Sequence, residues 1–392
     1  MIAGPLALLA GLVAISRSNP APASGQPYVP QSDAEVLETL AATVTDFGAL
    51  RENPLAAAPS TGLDAQGAVL RARAELRRYQ ASSDPRFLGR AEAALGAFWD
   101  QPSPPEPILV LRARVRQSNH EFDAALRDLD RALTQSPSDE QALLDRASIE
   151  TVVGRYDAAL ADCRALEPLT APLYSAMCRA GLSAVTGAAG AASDELTRAL
   201  SDPRLTGEDR CWAISELGEL SLRLGQNSAA EVHFRAVLNA CPDDTYTRGA
   251  LADLLLDSER ASEVIPLLAA YTNQDALLLR LTIAERRSRA DGFEAHFSDL
   301  EQRFDEARLR GNQVHRREQA RFELWLRDAP QPALALALEN FRVQREPADV
   351  RIALEAALAA RHPEQVREVL TFIRASHLED PHVAQLAERL AP

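Results

Sequence analysis

The stretch that decides the fold runs from residue 106 to residue 168, and it contains one unit written twice. It reads EPILVLRARVRQSNHEFDAALRDLDRALTQSPSD over 106–139 and EQALLDRASIETVVGRYDAALADCRALEP over 140–168. Five pairs of positions match when the second copy is laid over the first: Ala113 and Ala147, Phe122 and Tyr156, Ala125 and Ala159, Leu126 and Leu160, Asp128 and Asp162. A small residue, an aromatic nine residues later and an alanine three further on predict helix, turn, helix. Such a hairpin cannot bury its apolar face alone, so the repeat predicts a stack of hairpins.

The residues and spacing of this unit resemble the tetratricopeptide repeat (TPR) family. The small residue of the first helix recurs, with weaker matches around it, at Ala180, Gly218 and Ala252. The resemblance implies an all-α fold, a right-handed superhelical solenoid of helix-turn-helix hairpins. It also implies binding of extended or helical peptides in a concave groove lined by the first helices. No subfamily is indicated.

The repeat register divides the chain into five segments. They are a signal peptide (1–23), a linker (24–31), atypical N-terminal helices forming a capping repeat (32–105), the TPR repeats (106–271) and a degenerate TPR-like helical C-terminal region (272–392). Composition cannot locate a break within the last segment. A separate helical bundle from about residue 290 is therefore an alternative.

An apolar run from Ile2 to Ile15 opens the chain and is followed by Arg17 and the tripeptide Ala21-Pro22-Ala23. This pattern is typical of a secretory signal cleaved after Ala23, and the run is shorter than the roughly 20 residues of a membrane-spanning helix. It predicts an exported, periplasmic protein. No lysine or arginine precedes the run, as it would in a typical signal peptide. An uncleaved anchor in the inner membrane, facing the periplasm, is therefore one alternative. A segment that is neither a signal nor an anchor is the other.

Composition excludes several kinds of chemistry. The chain has 392 residues, a formal net charge of -14, and 42 basic residues that are all arginine. Without lysine there can be no phosphate-binding loop of the G-x-x-x-x-G-K-[ST] type, no Schiff-base lysine and no S-x-x-K motif. The acidic balance argues against a nucleic-acid partner. Membrane contact is expected only if the N-terminal segment is retained. The lysine-free, arginine- and alanine-rich composition is consistent with a bacterial source of high GC content.

No pattern of catalytic or metal-binding residues stands out. The sequence has no C-x-x-C, H-E-x-x-H or G-x-S-x-G. His377 and His382 flank Glu379 and Asp380, but they are five positions apart with Pro381 between them, which does not place both imidazoles on one helix face. A capped loop before the terminal helix explains the same residues. We predict no catalytic residue, no cofactor and no metal, and we keep an enzyme only as a third class of function.

The four cysteines favour one pairing once they are placed on the hairpins. Cys211 and Cys241 lie equally far before and after Gln226, at the turn, so both belong to the open end of one hairpin. Cys163 and Cys178 straddle a connection between hairpins about equally and therefore sit on facing helices. Two disulfides are expected in an oxidising compartment. The alternative is four buried thiols that act as small hydrophobic residues.

The repeat register also predicts which side chains face the groove: Arg114, Gln117, Tyr174, Met177, Trp212, Glu219, Arg223 and Tyr246. The aromatics Tyr174, Trp212 and Tyr246 occupy equivalent positions in three successive repeats, where they could anchor apolar side chains of a ligand. The alternative is that they pack between repeats. The groove does not match the Lys/Asn/Arg carboxylate clamp of chaperone-binding TPR domains, so capture of a peptide C-terminus is not supported.

These observations predict a non-enzymatic scaffold or adaptor that mediates protein–protein interactions in the bacterial cell envelope through its concave groove. Its partner would be a protein or peptide of unknown identity. The alternative function is a membrane-tethered regulatory or assembly subunit of an envelope complex.

Overall fold

The computed structural model describes residues 64–82, 84–202, 205–309 and 315–390, which all lie in one compact unit. Within these ranges the regular structure consists of α-helices and one 3-10 turn, with no strand. The prediction of an all-α fold is therefore confirmed. The predicted signal peptide, the linker and the first half of the capping repeat lie outside the described residues. No helix in the described ranges is long and apolar enough to cross a bilayer.

The described helices number nineteen. The first ten are α1 (Ala65–Ser82), α2 (Arg86–Trp99), α3 (Glu106–Ser118), α4 (Phe122–Gln135), α5 (Glu140–Val152), α6 (Tyr156–Leu166), α7 (Pro172–Ser183), α8 (Ala189–Ala199), α9 (Gly207–Arg223) and α10 (Asn227–Ala240). The others are α11 (Thr245–Asp257), α12 (Ala261–Leu268), α13 (Asp275–Ser288), α14 (Phe293–Leu309), α15 (Arg316–Trp325), α16 (Pro330–Phe341), α17 (Pro347–Ala360), α18 (Arg367–Ser376) and α19 (Pro381–Leu390), with the 3-10 turn (Pro363–Val366) before α18.

Consecutive helices pair into hairpins, and the first helix of each hairpin also contacts the first helix of the next from α1 through α9. This is the two-layer stacking that the repeat predicts. The small residues of the register lie where helices cross, and Ala113, Ala147 and Ala180 are buried. At Gly218 a Cβ atom would lie 2.3 Å from Cε1 of the buried Phe234 ring, so only glycine fits that crossing as it stands.

A charge pair ties the two helices of a hairpin together and recurs in three successive hairpins, with the first pair the most deeply buried. In the first TPR-like hairpin, Arg112 donates from Nε to Asp128 Oδ2 at 2.8 Å and from Nη2 to Asp128 Oδ1 at 2.6 Å. Arg146 makes the same fork with Asp162 in the next hairpin, at 2.7 and 2.6 Å. The third hairpin pairs Arg179 with Glu195. The sequence pattern revealed the repeated aspartate but not its arginine partner.

Both predicted disulfides are present. Cys163 and Cys178 join α6 to α7, which belong to successive hairpins, with a Cα–Cα distance of 5.5 Å. Cys211 and Cys241 close the open end of the α9/α10 hairpin, with a Cα–Cα distance of 6.5 Å. The alternative of four free thiols is wrong for this structure, in which every cysteine is bonded.

The C-terminal helices return to the turns of the earlier hairpins, a feature that the repeat register does not show. The Arg345 amide donates to the Val152 carbonyl at 2.7 Å beside the α5/α6 turn. Arg351 of α17 donates to Asp257 at the end of α11, from Nη1 to Oδ2 at 2.6 Å and from Nη2 to Oδ1 at 2.7 Å. The C-terminal region therefore packs along the edge formed by the hairpin turns.

The loop between α18 and α19 makes two more of these contacts. The His377 carbonyl lies against Gly187 in the α7/α8 turn, where a Cβ atom would be only 2.8 Å away. Pro381 lies against Gly225 in the α9/α10 turn in the same way, at 3.3 Å. Both glycines have positive φ, at 76° and 71°, so close approach and backbone conformation both favour glycine there.

The buried carboxyl of Glu150 on α5 leads to a pH prediction. Glu150 is 9% exposed, and its Oε2 has no hydrogen-bond partner among the described residues. Burial and the charge of Asp162 raise its pKa to about 7, against the opposing effect of Arg146. The folded chain then holds a proton that the unfolded chain has lost, so this group lowers stability as pH rises from about 4.5 to about 7.

Replacing Glu150 by glutamine should therefore raise the free energy of unfolding by about 2 kcal/mol at pH 8 and change it little at pH 4, because the amide never becomes charged. Chemical denaturation across this pH range measures the difference. Glu294→Gln, at an exposed position of α14, is the control and should follow the wild type. A Glu150→Gln curve parallel to the wild-type curve at every pH would show that the buried carboxyl does not titrate as described.

Candidate functional site

The predicted groove corresponds to one side of the stacked first helices, called here the first-helix face and formed by α3, α5, α7, α9 and α11. Polar bonds run along it from one first helix to the next. Arg114 Nε on α3 lies 3.3 Å from Asp145 Oδ2 on α5. The Tyr174 hydroxyl on α7 donates to Asp209 Oδ2 on α9 at 2.8 Å. Arg114 and Tyr174, which the repeat register predicts to face the groove, thus each bond to the next first helix.

The two most exposed aromatics of this face lie on adjacent first helices. Trp212 on α9 is 40% exposed and Tyr246 on α11 is 64% exposed. The Tyr246 hydroxyl donates to Glu219 Oε1 on α9 at 3.2 Å, which joins the two helices. Tyr174 is half-buried and bonded to the next repeat. Of the two alternatives for the aromatics, packing between repeats fits Tyr174 better.

Two of the predicted groove residues are placed differently from the expectation. Met177 is 2% exposed and packs in the core with Leu173 and Leu217, so its side chain is not available to a ligand. Arg223 is largely covered, because its guanidinium pairs with Asp380 before α19 and with Glu219 at 3.2 Å. Gln117 and Arg114 are half-buried at the α3 end of the face.

Acidic side chains surround the exposed aromatics. Burial and the charge of Glu219 raise the pKa of Glu216 to about 7, while a hydrogen bond from Trp212 and the charge of Arg223 act against the rise. The charge of Glu219 raises the pKa of Tyr246 well above its usual value. Burial raises the pKa of Tyr174 to about 12, helped by its bond to Asp209 and by the charges of Asp209 and of Glu140 at the start of α5. The surface beside Trp212 and Tyr246 is therefore acidic.

A second pair of carboxyls lies further along the same helices. Glu106 at the start of α3 and Asp139 at the N-cap of α5 share a hydrogen bond. Burial, the charge of Asp139 and this bond raise the pKa of Glu106 to about 7, and the charge of Arg73 opposes them. Two carboxyls at hydrogen-bond distance cannot both ionise freely, so they hold a proton near neutral pH.

The sequence pattern did not single out Glu216, Asp209 or Glu140 beside the aromatics. Glu216 is four residues after Trp212 and Asp209 is three residues before it, so both share its helix face. The spacing of three and four residues from Trp212 could therefore have identified these two acids in the sequence.

On the C-terminal side of Tyr246, later helices of the same chain cover the first-helix face. Arg280 of α13 donates to Asp253 at 2.9 and 2.5 Å, and Arg321 of α15 donates to the other carboxylate oxygen at 2.6 Å. Asp253 is thus fully engaged, and the charge of Arg280 and Arg321 lowers its pKa although burial alone would raise it. The accessible part of the face ends near α11.

A separate open cavity of about 820 Å³ lies between the α11/α12 turn, the end of α13 and the C-terminal helices. Its cations already have partners: Arg351 is bonded to Asp257, and Arg287 donates to the Leu256 carbonyl at 2.8 Å. Among the described residues, no group of three His, Cys, Asp or Glu is arranged to hold a metal ion. The first-helix face remains the better candidate site.

No family profile matches the sequence, and no curated protein matches it. Among solved structures, a thermophilic TPR protein of Thermus thermophilus has a TM-score of 0.37 and 21% identity over 46% of this chain and 99% of that one. A TPR protein from Parabacteroides merdae has a TM-score of 0.39 and 14% identity over 73% and 98%. The APC/C hetero-tetramer Cut9–Hcn1 gives a TM-score of 0.48 and 12% identity over 87% and 66%.

The classification depends on the molecule's own geometry. Helical hairpins stack with their first helices in contact. Small residues recur at the helix crossings, as Ala113 and Ala147 do in the two clearest repeats. The described chain thus has the helical-hairpin solenoid fold of tetratricopeptide repeat proteins, with no subfamily indicated.

Proposed function

We propose that this chain is a non-enzymatic scaffold that binds a polypeptide segment on its first-helix face. The observation that carries the proposal is the exposure of Trp212 and Tyr246 on adjacent first helices of the stack. Large aromatic side chains on a monomer's surface are typical anchors of protein interfaces, because they bury much apolar area with little loss of conformational entropy. Tyr174 extends the same row towards α7 and offers a fixed polar edge.

We also propose that it works in an oxidising compartment, the bacterial cell envelope. The support is the pair of disulfides, which persist in exported proteins and are rare in the reducing cytosol. Mass spectrometry of non-reduced protein from the native cells tests this. Four free thiols would contradict it.

The binding proposal is tested with peptides selected from a displayed library on the immobilised full chain. Replacing Trp212 and Tyr246 together by alanine is expected to weaken a selected peptide by at least about tenfold, since truncating interface anchors costs this much or more. Isothermal titration calorimetry measures the affinity, and circular dichroism checks the helix content.

Val232 supplies the matched control for this experiment. It is 66% exposed on α10, the second helix of the same hairpin as Trp212. Val232→Ala should leave the affinity unchanged if binding occurs on the first-helix face. An unchanged affinity of the Trp212→Ala/Tyr246→Ala variant, with its helix content intact, would reject this face as the binding site.

A further inference from the structure

We infer that the segment bound on the first-helix face is cationic, with arginine or lysine side chains that reach Trp212 and Tyr246 and pair with the acids around them. This inference rests on the proposed function and specifies the chemistry of the partner. It goes beyond a general peptide groove because the geometry around these two aromatics favours one charge.

The charges beside the exposed aromatics are predominantly negative. Glu140, Asp209 and Glu216 line the row of aromatics, and within the described residues no arginine bonds to any of them. Arg223 of α9 is already paired with Glu219 and Asp380, and Arg210, which follows Asp209, donates to the Leu200 carbonyl at 3.2 Å. An incoming cation would therefore meet carboxyl groups that form no ion pair within the described residues, whereas an incoming anion would meet arginines of α9 that are already bonded.

Several acids elsewhere in the molecule are paired with arginine. Asp128, Asp162 and Asp257 each receive a two-nitrogen fork from one arginine. Asp253 receives two arginines. Glu140, Asp209 and Glu216 receive no such fork, and they differ from other unpaired surface acids in lying beside the row of aromatics.

The exposed aromatic rings also favour a cationic partner. Trp212 and Tyr246 are exposed to solvent, and Glu216 lies four residues after Trp212 in α9, on the same side of that helix. A guanidinium or ammonium group over an aromatic face is attracted by the ring, and a carboxylate at the ring edge adds to that attraction. The same chain uses this contact internally, since the Arg248 guanidinium carbon lies 4.2 Å from the Tyr271 ring centre.

The chain's own N-terminal segment does not fit as the occupant. Residues 1–63 contain two arginines and five acidic residues, so the segment is itself acidic. A second copy of this chain is disfavoured for the same reason, because each copy has a formal charge of -14. The occupant that the charges favour is a basic segment of another protein.

The test uses three synthetic peptides of equal length, an arginine–alanine repeat, a glutamate–alanine repeat and a serine–alanine repeat, titrated into the full-length oxidised chain by calorimetry. The arginine peptide should bind, and the glutamate peptide should not. In titrations at pH 8, above the raised pKa of Glu216, Glu140→Gln/Glu216→Gln should weaken the arginine peptide by about tenfold, because two carboxylates without an ion-pair partner are removed. Added salt should reduce the difference.

A charge-matched control separates this site from general attraction to an acidic protein. Asp291→Asn/Glu294→Gln removes the same charge from exposed positions at the start of α14. It should change the affinity for the arginine peptide by less than about twofold, because charges away from the site contribute only screened, long-range attraction. Equal losses from both double variants would overturn the inference.

The two proposals fail in different ways. If library-selected peptides bind in a manner that depends on Trp212 and Tyr246 but are neutral or acidic, and Glu140→Gln/Glu216→Gln has no effect, the inference of a cationic partner is wrong and the binding face stands. If no selected peptide depends on Trp212 and Tyr246, the proposed function itself is wrong.

Discussion

Replacing Asp128 by alanine is expected to lower the free energy of unfolding by about 4 kcal/mol. Arg112 is 2% exposed and Asp128 is fully buried, and the two form a two-nitrogen fork across the α3/α4 hairpin. Removing the carboxylate leaves a guanidinium charge enclosed by protein. Its remaining bonds go to backbone carbonyls, including Gln101 at 3.0 Å, which cannot neutralise it. An uncompensated buried charge costs more than the pair itself contributes.

The repeat supplies a matched comparison. Asp162 holds the same position one unit later, but its partner Arg146 is 23% exposed and also bonds to Asp130 at 2.8 Å. Asp162→Ala should therefore cost only about 1–2 kcal/mol, because Arg146 keeps one carboxylate and contact with water. Denaturant unfolding of both variants measures the two losses. Equal losses would show that burial of Arg112 does not set the cost.

A double replacement separates an unpaired charge from a lost contact. Arg112→Met with Asp128→Leu removes both buried charges and keeps apolar volume, and Arg116, which also pairs with Asp128, is 20% exposed and can reach water. It should be much closer to the wild type than Asp128→Ala, since well-packed apolar residues can replace a buried ion pair at little cost. A double variant as unstable as the single one would point to a shape requirement at this crossing and not to the charge.

The sequence was sufficient for the features that repeat or that are local. The repeat register predicts the hairpins, and the hairpins set the distances that pair Cys163 with Cys178 and Cys211 with Cys241. These inferences succeed because each repeat contacts mainly its neighbours, so a short stretch of sequence contains most of the information for its own structure.

The sequence was insufficient for contacts that join distant parts of the chain. The Arg223–Asp380 pair connects residues 157 apart, and the Arg351–Asp257 pair connects residues 94 apart. No local pattern indicates that the C-terminal helices reach these hairpin turns, because that depends on the summed rotation of many repeats. Arg223 is covered because the C-terminal helices pack against its hairpin. This could not be predicted from the position of Arg223 in its own helix.

Met177 shows a different limit. The register places it on the groove side of α7, but a first helix contacts its own second helix and both neighbouring first helices, so its buried stripe is wide. An apolar side chain at the margin of that stripe turns into the core, and Met177 packs there. Trp212, at the same distance from the start of its helix, is 40% exposed, so the register alone does not separate the two residues.

Loss of the Cys211–Cys241 disulfide is expected to lower the free energy of unfolding by about 3.5 kcal/mol, and loss of Cys163–Cys178 by about 3 kcal/mol. The bonds close loops with sequence separations of 30 and 15 residues, and a cross-link restricts the unfolded chain more when the loop is longer. Each bond also holds a junction of the stack: one joins α9 to the end of α10, and the other joins successive hairpins.

The Cys211→Ser/Cys241→Ser and Cys163→Ser/Cys178→Ser variants test these values by denaturant unfolding with and without reductant. Reductant should destabilise the wild type by about the sum of the two losses and each double variant by the remaining bond only, because bonds in different hairpins act nearly independently. A variant that lacks all four cysteines is the control and should not respond to reductant. If reductant leaves the wild type unchanged, the disulfides do not form in the purified protein, and the proposal of an oxidising compartment loses its support.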